Sequence, residues 1–180
     1  MRIISGKYKS KKLAVLKSND TRPTTDKVRE NIFNILGPID GSVLDLFAGS
    51  GALGIEALSR GGTDAMFIDG AKDAVGIIRQ NTEDIDEPVE IFRNDYRRAL
   101  RAMSRRGRQF DLIFLDPPYH KGMVEVALEL IDSLDILARD GRIVVETHKD
   151  EAYGTPGYAS LKEAVYGTIR INVLTKEGEL

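Results

Sequence analysis

Residues 43–54 read Val43-Leu44-Asp45-Leu46-Phe47-Ala48-Gly49-Ser50-Gly51-Ala52-Leu53-Gly54, and the fold is decided there. Residues 42–47 form a compact apolar run with a single acid, which predicts a buried strand. Residues 52–60 then show helical spacing and stop at Gly61-Gly62, a helix C-terminal signal. Between the two, Gly49-Ser50-Gly51-Ala52-Leu53-Gly54 is a GxGxxG turn, and Asp69 stands twenty residues beyond Gly49 at the end of the next strand-like run. Strand, glycine turn, helix, strand and acid in that order are how open α/β sheets take up nucleotide cofactors.

The same rhythm continues downstream. Residues 65–69, 89–94, 110–116 and 142–147 read as strands, and residues 71–83, 96–106 and 123–134 as helices. Alternation at this spacing predicts a parallel sheet covered on both faces. The two ends break the rhythm. Residues 2–15 alternate loosely around Gly6 with lysines throughout, predicting a small basic hairpin outside the sheet. A helix over residues 25–36 follows, with Val28, Ile32, Ile35 and Leu36 on one face. Residues 161–166 and 168–175 flank Gly167 and predict a hairpin that puts one antiparallel strand at the sheet's end. Residues 1–37 are thus an extension of a main domain over 38–180.

Asp45 chooses between cofactors. A dinucleotide would set its pyrophosphate over the glycine turn, where a carboxylate four residues upstream repels it. S-adenosylmethionine carries a sulfonium and an ammonium and no phosphate, so the same carboxylate attracts it. The glycines let the backbone approach its methionine part, and Asp69 accepts hydrogen bonds from ribose hydroxyls. Asp95, at the end of the third strand, meets the adenine edge. Three acids at three successive strand ends fit a cationic nucleoside better than a diphosphate.

Asp116-Pro117-Pro118-Tyr119 follows the fourth strand. Two prolines in succession hold Asp116 and Pro117 extended and contribute no N–H donors. What this loop offers is a carboxylate, carbonyl oxygens and then an aromatic ring. That suits an exocyclic amino group on a nucleobase, which donates two N–H bonds while the base stacks on Tyr119. Such an amine is a poor nucleophile because its lone pair is delocalised. Accepting its N–H bonds out of the ring plane favours a tetrahedral nitrogen aimed at the methyl donor, and transfer becomes a matter of positioning. An acid first in the loop favours guanine, whose N1–H and N2–H are two donors side by side.

The composition is that of a soluble globular protein: 42% of residues are hydrophobic and 30% charged, and there is no cysteine. Disulfide frameworks, cysteine-ligated metals and thiol nucleophiles are excluded. His120 and His148 have no partner at ligand spacing, so no metal is expected. The amino terminus lacks a signal-peptide core, so a cytoplasmic location is expected. A net charge of −2 argues on average against a nucleic-acid partner, but the charge is segregated. Residues 1–37 carry nine Lys/Arg against three acids, and residues 93–108 seven Arg against one. These two segments are the expected RNA-facing surface, with Lys9, Lys11, Arg97, Arg98 and Arg101 as candidate contacts.

With these residues assembled, the sequence resembles the bacterial RsmD-like family of 16S ribosomal RNA (guanine-N2)-methyltransferases. The likeness runs through Arg2-Ile3-Ile4-Ser5-Gly6, through residues 22–33 opening on Arg22-Pro23-Thr24, through the glycine motif with residues 56–61, and into Asp116-Pro117-Pro118-Tyr119 and Tyr166-Gly167. The Arg-Pro-Thr segment makes the match specific. The resemblance implies a class I S-adenosylmethionine-dependent methyltransferase (Rossmann-like) fold. Its sheet would be seven-stranded and mostly parallel with one antiparallel strand, plus a short amino-terminal addition. It implies cofactor contacts from Asp45, Phe47, Ala48, Gly49, Ser50, Gly51, Asp69, Asp95 and Tyr96, and a guanine held by residues 116–119. In this reading Arg22 and Thr24 lie near the cofactor mouth. Two features depart from the family: Ala71 stands where many members carry a second acid, and residues 149–165 match only loosely.

Three other readings stay open at this point. An adenine-N6 methyltransferase predicts a long target-recognition insertion, for which 180 residues leave little room. A nicotinamide dehydrogenase would use the same glycine turn. A non-enzymatic ribosome-assembly factor would not need Asp116.

Overall fold

The computed structural model describes residues 1–17 and 25–179. Helix α1 (Asp26–Leu36) precedes β1 (Ser42–Asp45), α2 (Ala52–Ser59), β2 (Asp64–Asp69), α3 (Lys72–Thr82), β3 (Val89–Arg93), α4 (Tyr96–Arg105), β4 (Phe110–Leu115), α5 (Met123–Ser133), β5 (Leu137–His148), β6 (Tyr158–Tyr166) and β7 (Ile169–Lys176). The strands form one seven-stranded sheet in the order β3-β2-β1-β4-β5-β7-β6. Pairing is parallel from β3 through β5, and β7 is antiparallel to both β5 and β6. The single antiparallel strand is therefore present, but it is inserted beside β5 and β6 takes the edge. A hairpin read locally does not say which of its two strands docks on the sheet.

Alternation along each strand separates two cores. Val43, Phe67, Leu112, Phe114 and Val144 face Ile32 and Phe33 of α1, Leu53 and Ile55 of α2, and Ile78 of α3. Leu44, Met66, Ile113 and Ile143 face Leu100 and Met103 of α4 and Val124, Leu128 and Ile131 of α5. The order of strands reverses between β1 and β4, and the crevice beyond their carboxyl ends is where such sheets bind ligands.

The amino-terminal hairpin is held by one bridge, Arg2 to Lys12, and by turn hydrogen bonds, so it has no regular strands. Ile3 and Leu13 reach the first core. The hairpin is fastened to α2 through Glu56, whose carboxylate accepts from Ile4 N at 2.9 Å and Ser5 N at 3.2 Å. Glu56 is fully buried, as is Arg29 of α1, whose Nε lies 3.3 Å from it, and Arg60 Nε adds a hydrogen bond of 2.9 Å. Arg29 is thus a core residue and not part of a basic surface. The spacing 29, 32, 33, 36 puts it inside the apolar stripe of α1.

Helix α1 starts as the sequence predicts, with Thr25 Oγ1 accepting from Val28 N at 3.2 Å. Strand β5 begins earlier than predicted. Arg139, Asp140 and Gly141 interrupt the apolar pattern, and the register against β4 shifts between Phe110 and Leu112.

Candidate functional site

A cavity of about 690 Å³ opens at the carboxyl ends of β1, β2, β3 and β4. That volume lies in the range for nucleoside-sized ligands. Residues 45–50 form one wall, residues 69–71 and 94–96 another, and residues 116–119 with Met123 a third. Among the described residues no lysine or arginine side chain lines it, while Asp45, Asp69, Asp95 and Asp116 do. The only charged side chains a pyrophosphate would meet there, among the described residues, are carboxylates, which repel it and attract a cation.

Asp45, Asp69 and Asp95 are each held by backbone N–H groups. Asp45 is 2% exposed, and its Oδ2 accepts from Gly54 N at 3.0 Å. Burial pushes its carboxyl up to about 8 despite that hydrogen bond, and the nearby charge of Asp69 pushes the same way. Asp69 accepts from Gly49 N through Oδ2 and from Ala71 N through Oδ1, both at 2.9 Å. At position 71, where the sequence departs from the family, Ala71 supplies only its backbone N–H to Asp69. Asp95 caps α4, accepting from Arg97 N at 2.9 Å, and pairs with Arg97 Nε at 3.1 Å. The Arg97 guanidinium holds its carboxyl below the usual range.

The glycines of the turn have separate structural roles. Gly51 has a left-handed φ of 82° as the N-cap of α2, which shapes the turn, but it does not line the cavity. Gly54 is required by close approach: a Cβ there would sit 2.4 Å from Phe67 Cε1 and 3.3 Å from Asp45 Cβ. Phe47 and Tyr96 pack at 5.0 Å between ring centroids on the cavity wall.

Beside the Asp116 loop, Tyr119 Oη lies 3.5 Å from Oε1 of Glu146, a buried acid of β5. His148 stands 6.2 Å from the Tyr119 ring and 5.3 Å from His120. His120, in the loop after β4, and His148, at the end of β5, thus form one group with Tyr119. His148 Nδ1 accepts from Asp150 N at 3.1 Å.

The basic segments are less free than their sequence implied. Lys7 Nζ lies 3.1 Å from both Asp86 and Glu87, and Tyr8 Oη donates to Glu87. Lys11 pairs with Asp84, so its expected role as a phosphate contact is not supported. Arg97 is engaged by Asp95. Lys9, Arg98 and Arg101 are exposed, and their side chains make no ion pair among the described residues. Arg22 and Thr24 lie outside the described residues. The cavity also takes in Met1, Val15 and Leu16 of the amino-terminal segment, which no local signal in the sequence announces.

The family model described as Conserved hypothetical protein 95 matches residues 1–175. The chain belongs to this family. Within the Conserved hypothetical protein 95 family, the Bacillus subtilis relative YlbH, whose name makes it a candidate rRNA methyltransferase, is 42% identical over 99% of this chain and 100% of its own length. The Haemophilus influenzae ribosomal RNA small subunit methyltransferase D is 36% identical over 94% of this chain and 90% of its own. An Escherichia coli structure described as a candidate methyltransferase, yhhF, superposes with a TM-score of 0.84 at 32% identity, covering 98% of each chain. The resemblance drawn from the motifs and the class I methyltransferase fold expected from it both hold.

Proposed function

We propose that the chain transfers a methyl group from S-adenosylmethionine to the exocyclic N2 of a guanine in small-subunit ribosomal RNA. The observation that carries this is the meeting, at the ends of adjacent strands β1 and β4, of an acid-walled cavity and the Asp116-Pro117-Pro118-Tyr119 loop. The small-subunit methyltransferase named among the relatives supports it. The dehydrogenase reading fits poorly because the cavity offers a pyrophosphate no basic side chain among the described residues. The links between described elements leave no room for the insertion that an adenine-N6 enzyme would need; residues 149–157 are the longest of them.

When bound, S-adenosylmethionine supplies an electrophilic methyl group on a sulfonium. Asp45 gives the cationic end of that ligand an attractive field from a dry site. Asp69, fixed through two backbone N–H groups, keeps lone pairs for ribose hydroxyls, and Asp95 with Tyr96 borders the adenine. Asp116 accepts N1–H and N2–H of an unpaired or flipped guanine, and Tyr119 stacks on the base. After transfer Asp116 takes the proton released from nitrogen. The target is RNA in a partly assembled subunit or naked RNA, in the cytoplasm.

A tritiated-methyl assay on undermethylated small-subunit RNA and on the assembled subunit tests this, with mass spectrometry of the product. N2-methylguanine is expected; no incorporation with either substrate, or methyl found on adenine N6, sinks the proposal.

Asp45 predicts a pH dependence. Its folded value of about 8 is raised, so the ligand-free protein loses stability as pH climbs from the ordinary carboxylate range towards that value. A ligand ammonium favours the ionised form, so binding below about pH 8 releases a proton. S-adenosylhomocysteine affinity should rise with pH, by at most about tenfold per unit, and level off above that value. Calorimetry in buffers of different ionisation enthalpy reads the proton; Asp45→Asn should abolish it.

The exposed cations predict a salt effect. Lys9→Glu, Arg98→Glu and Arg101→Glu together should weaken RNA binding and flatten its dependence on log salt by roughly two units, at about 0.7 per single-strand phosphate contact. Cofactor affinity should hardly move. An unchanged salt slope in a filter-binding series would place the RNA elsewhere.

A further inference from the structure

Asn81, in the last turn of α3, is 3% exposed, and its amide makes three hydrogen bonds, all to backbone. Oδ1 accepts from Ala14 N at 2.8 Å, and Nδ2 donates to Ala14 O and to Ser50 O, both at 2.9 Å. Both amide hydrogens and the carbonyl are used, so the side chain is fixed in one orientation. Its partners belong to two segments far apart in sequence. Ser50 lies in the glycine turn and lines the cavity; Ala14 leads directly into Val15 and Leu16, which line the same cavity. Just before it, Leu13 is anchored in the core and its N–H donates to Met1 O at 2.9 Å. Val15 is 41% exposed, a large apolar side chain on the cavity wall. Such a side chain gains when a ligand covers it.

We propose that Asn81 is a positioning residue for the cofactor: it ties the amino-terminal segment to the glycine turn, so that Val15 and Leu16 form a wall of the cavity and close on the ligand bound there. The proposal rests on reading that cavity as the S-adenosylmethionine site. No other described group joins these two segments through one side chain. Losing the amide releases Ala14 and leaves Ser50 O without its donor, so the wall and the turn move independently. Ligand then escapes faster, while the Asp116 loop, on a different strand, is untouched. The chemical step proceeds normally once the site is filled.

A merely structural role lowers the folded fraction, and with it apparent kcat, at constant KM. A positioning role raises KM at constant kcat. Three proteins separate the two: Asn81→Ala, Asn81→Asp, which keeps the shape but turns the Nδ2 donor into an acceptor, and Val15→Ser/Leu16→Ser, which changes the wall without touching Asn81. The expected result is an S-adenosylhomocysteine Kd and an S-adenosylmethionine KM raised about tenfold or more in all three, as follows from loss of buried hydrogen bonds and apolar cover. kcat at saturating cofactor should stay within about twofold of the original. If the Asn81 variants fail to fold, the Val15→Ser/Leu16→Ser protein decides alone. Wild-type Kd in that protein and in the folded Asn81 variants overturns the role of Asn81 and leaves the cofactor reading standing. An original protein that binds no S-adenosylhomocysteine overturns the cofactor reading itself, and Asn81's role falls with it.

Discussion

Asp116→Ala should lower methyl transfer at saturating cofactor by about 10³-fold while leaving S-adenosylhomocysteine affinity within about twofold. The size follows from what Asp116 is asked to do. In the proposed reaction it fixes the target amine against the methyl donor and meets the charge that develops on nitrogen as the bond forms. Removing one positioned group of this kind costs about 10²–10³ in rate, and lost orientation adds to it. The side chain is only partly buried at the end of β4, so its loss should not unfold the sheet. Asp116→Asn is the sharper variant. It keeps the shape but presents an N–H where guanine N1–H needs an acceptor. Guanine methylation should fall nearly as far, and an adenine edge becomes the better match. Single-turnover assays with calorimetry on the same samples check both; parallel loss of rate and of cofactor affinity would show a structural defect instead.

Glu56→Ala should destabilise the protein by about 3–5 kcal/mol, the loss expected when one partner of a buried ion pair is removed. The carboxylate accepts from three donors, the backbone of Ile4 and Ser5 and Nε of Arg60, and pairs with the buried guanidinium of Arg29. Without it Arg29 is a fully buried cation left with Asp26 and the Arg2 carbonyl. Arg29→Met combined with Glu56→Leu should recover a large part of the loss, because the charge leaves together with its partner. It should not recover all of it, since Ile4 N and Ser5 N still lack an acceptor. Urea unfolding of the three proteins provides the test, and a single-variant loss under about 1 kcal/mol would mean water replaces the carboxylate.

The regular elements were legible because burial imposes a period. Strands β2, β3 and β4 begin and end within about one residue of their predicted limits, as does each helix from α2 onward, while β1 stops at Asp45, two residues short of its predicted end. The walls built from Asp45, Asp69, Asp95 and Asp116 were legible for the same reason: a residue at a strand's carboxyl end has its place set by the strand. What failed had long-range causes. Lys11 looked available because its partner Asp84 is far along the chain. Arg29 counted as surface charge because Glu56 sits on another helix, although the α1 spacing places it on the apolar face. Val15 and Leu16 join the site only because the hairpin folds back over the glycine turn. Nor could periodicity tell that β7 would wedge between β5 and β6.

The pairing of β1 with β4 sets Asp45 opposite Phe114, two residues before Asp116. The proposed donor and acceptor sites therefore sit at the ends of neighbouring strands, which the sheet holds about 4.8 Å apart. No hinge has to close to bring them together. The hairpin and the arginine face of α4 lie outside that pair of strands. Substitutions in those two parts can accumulate without disturbing the spacing of β1 and β4.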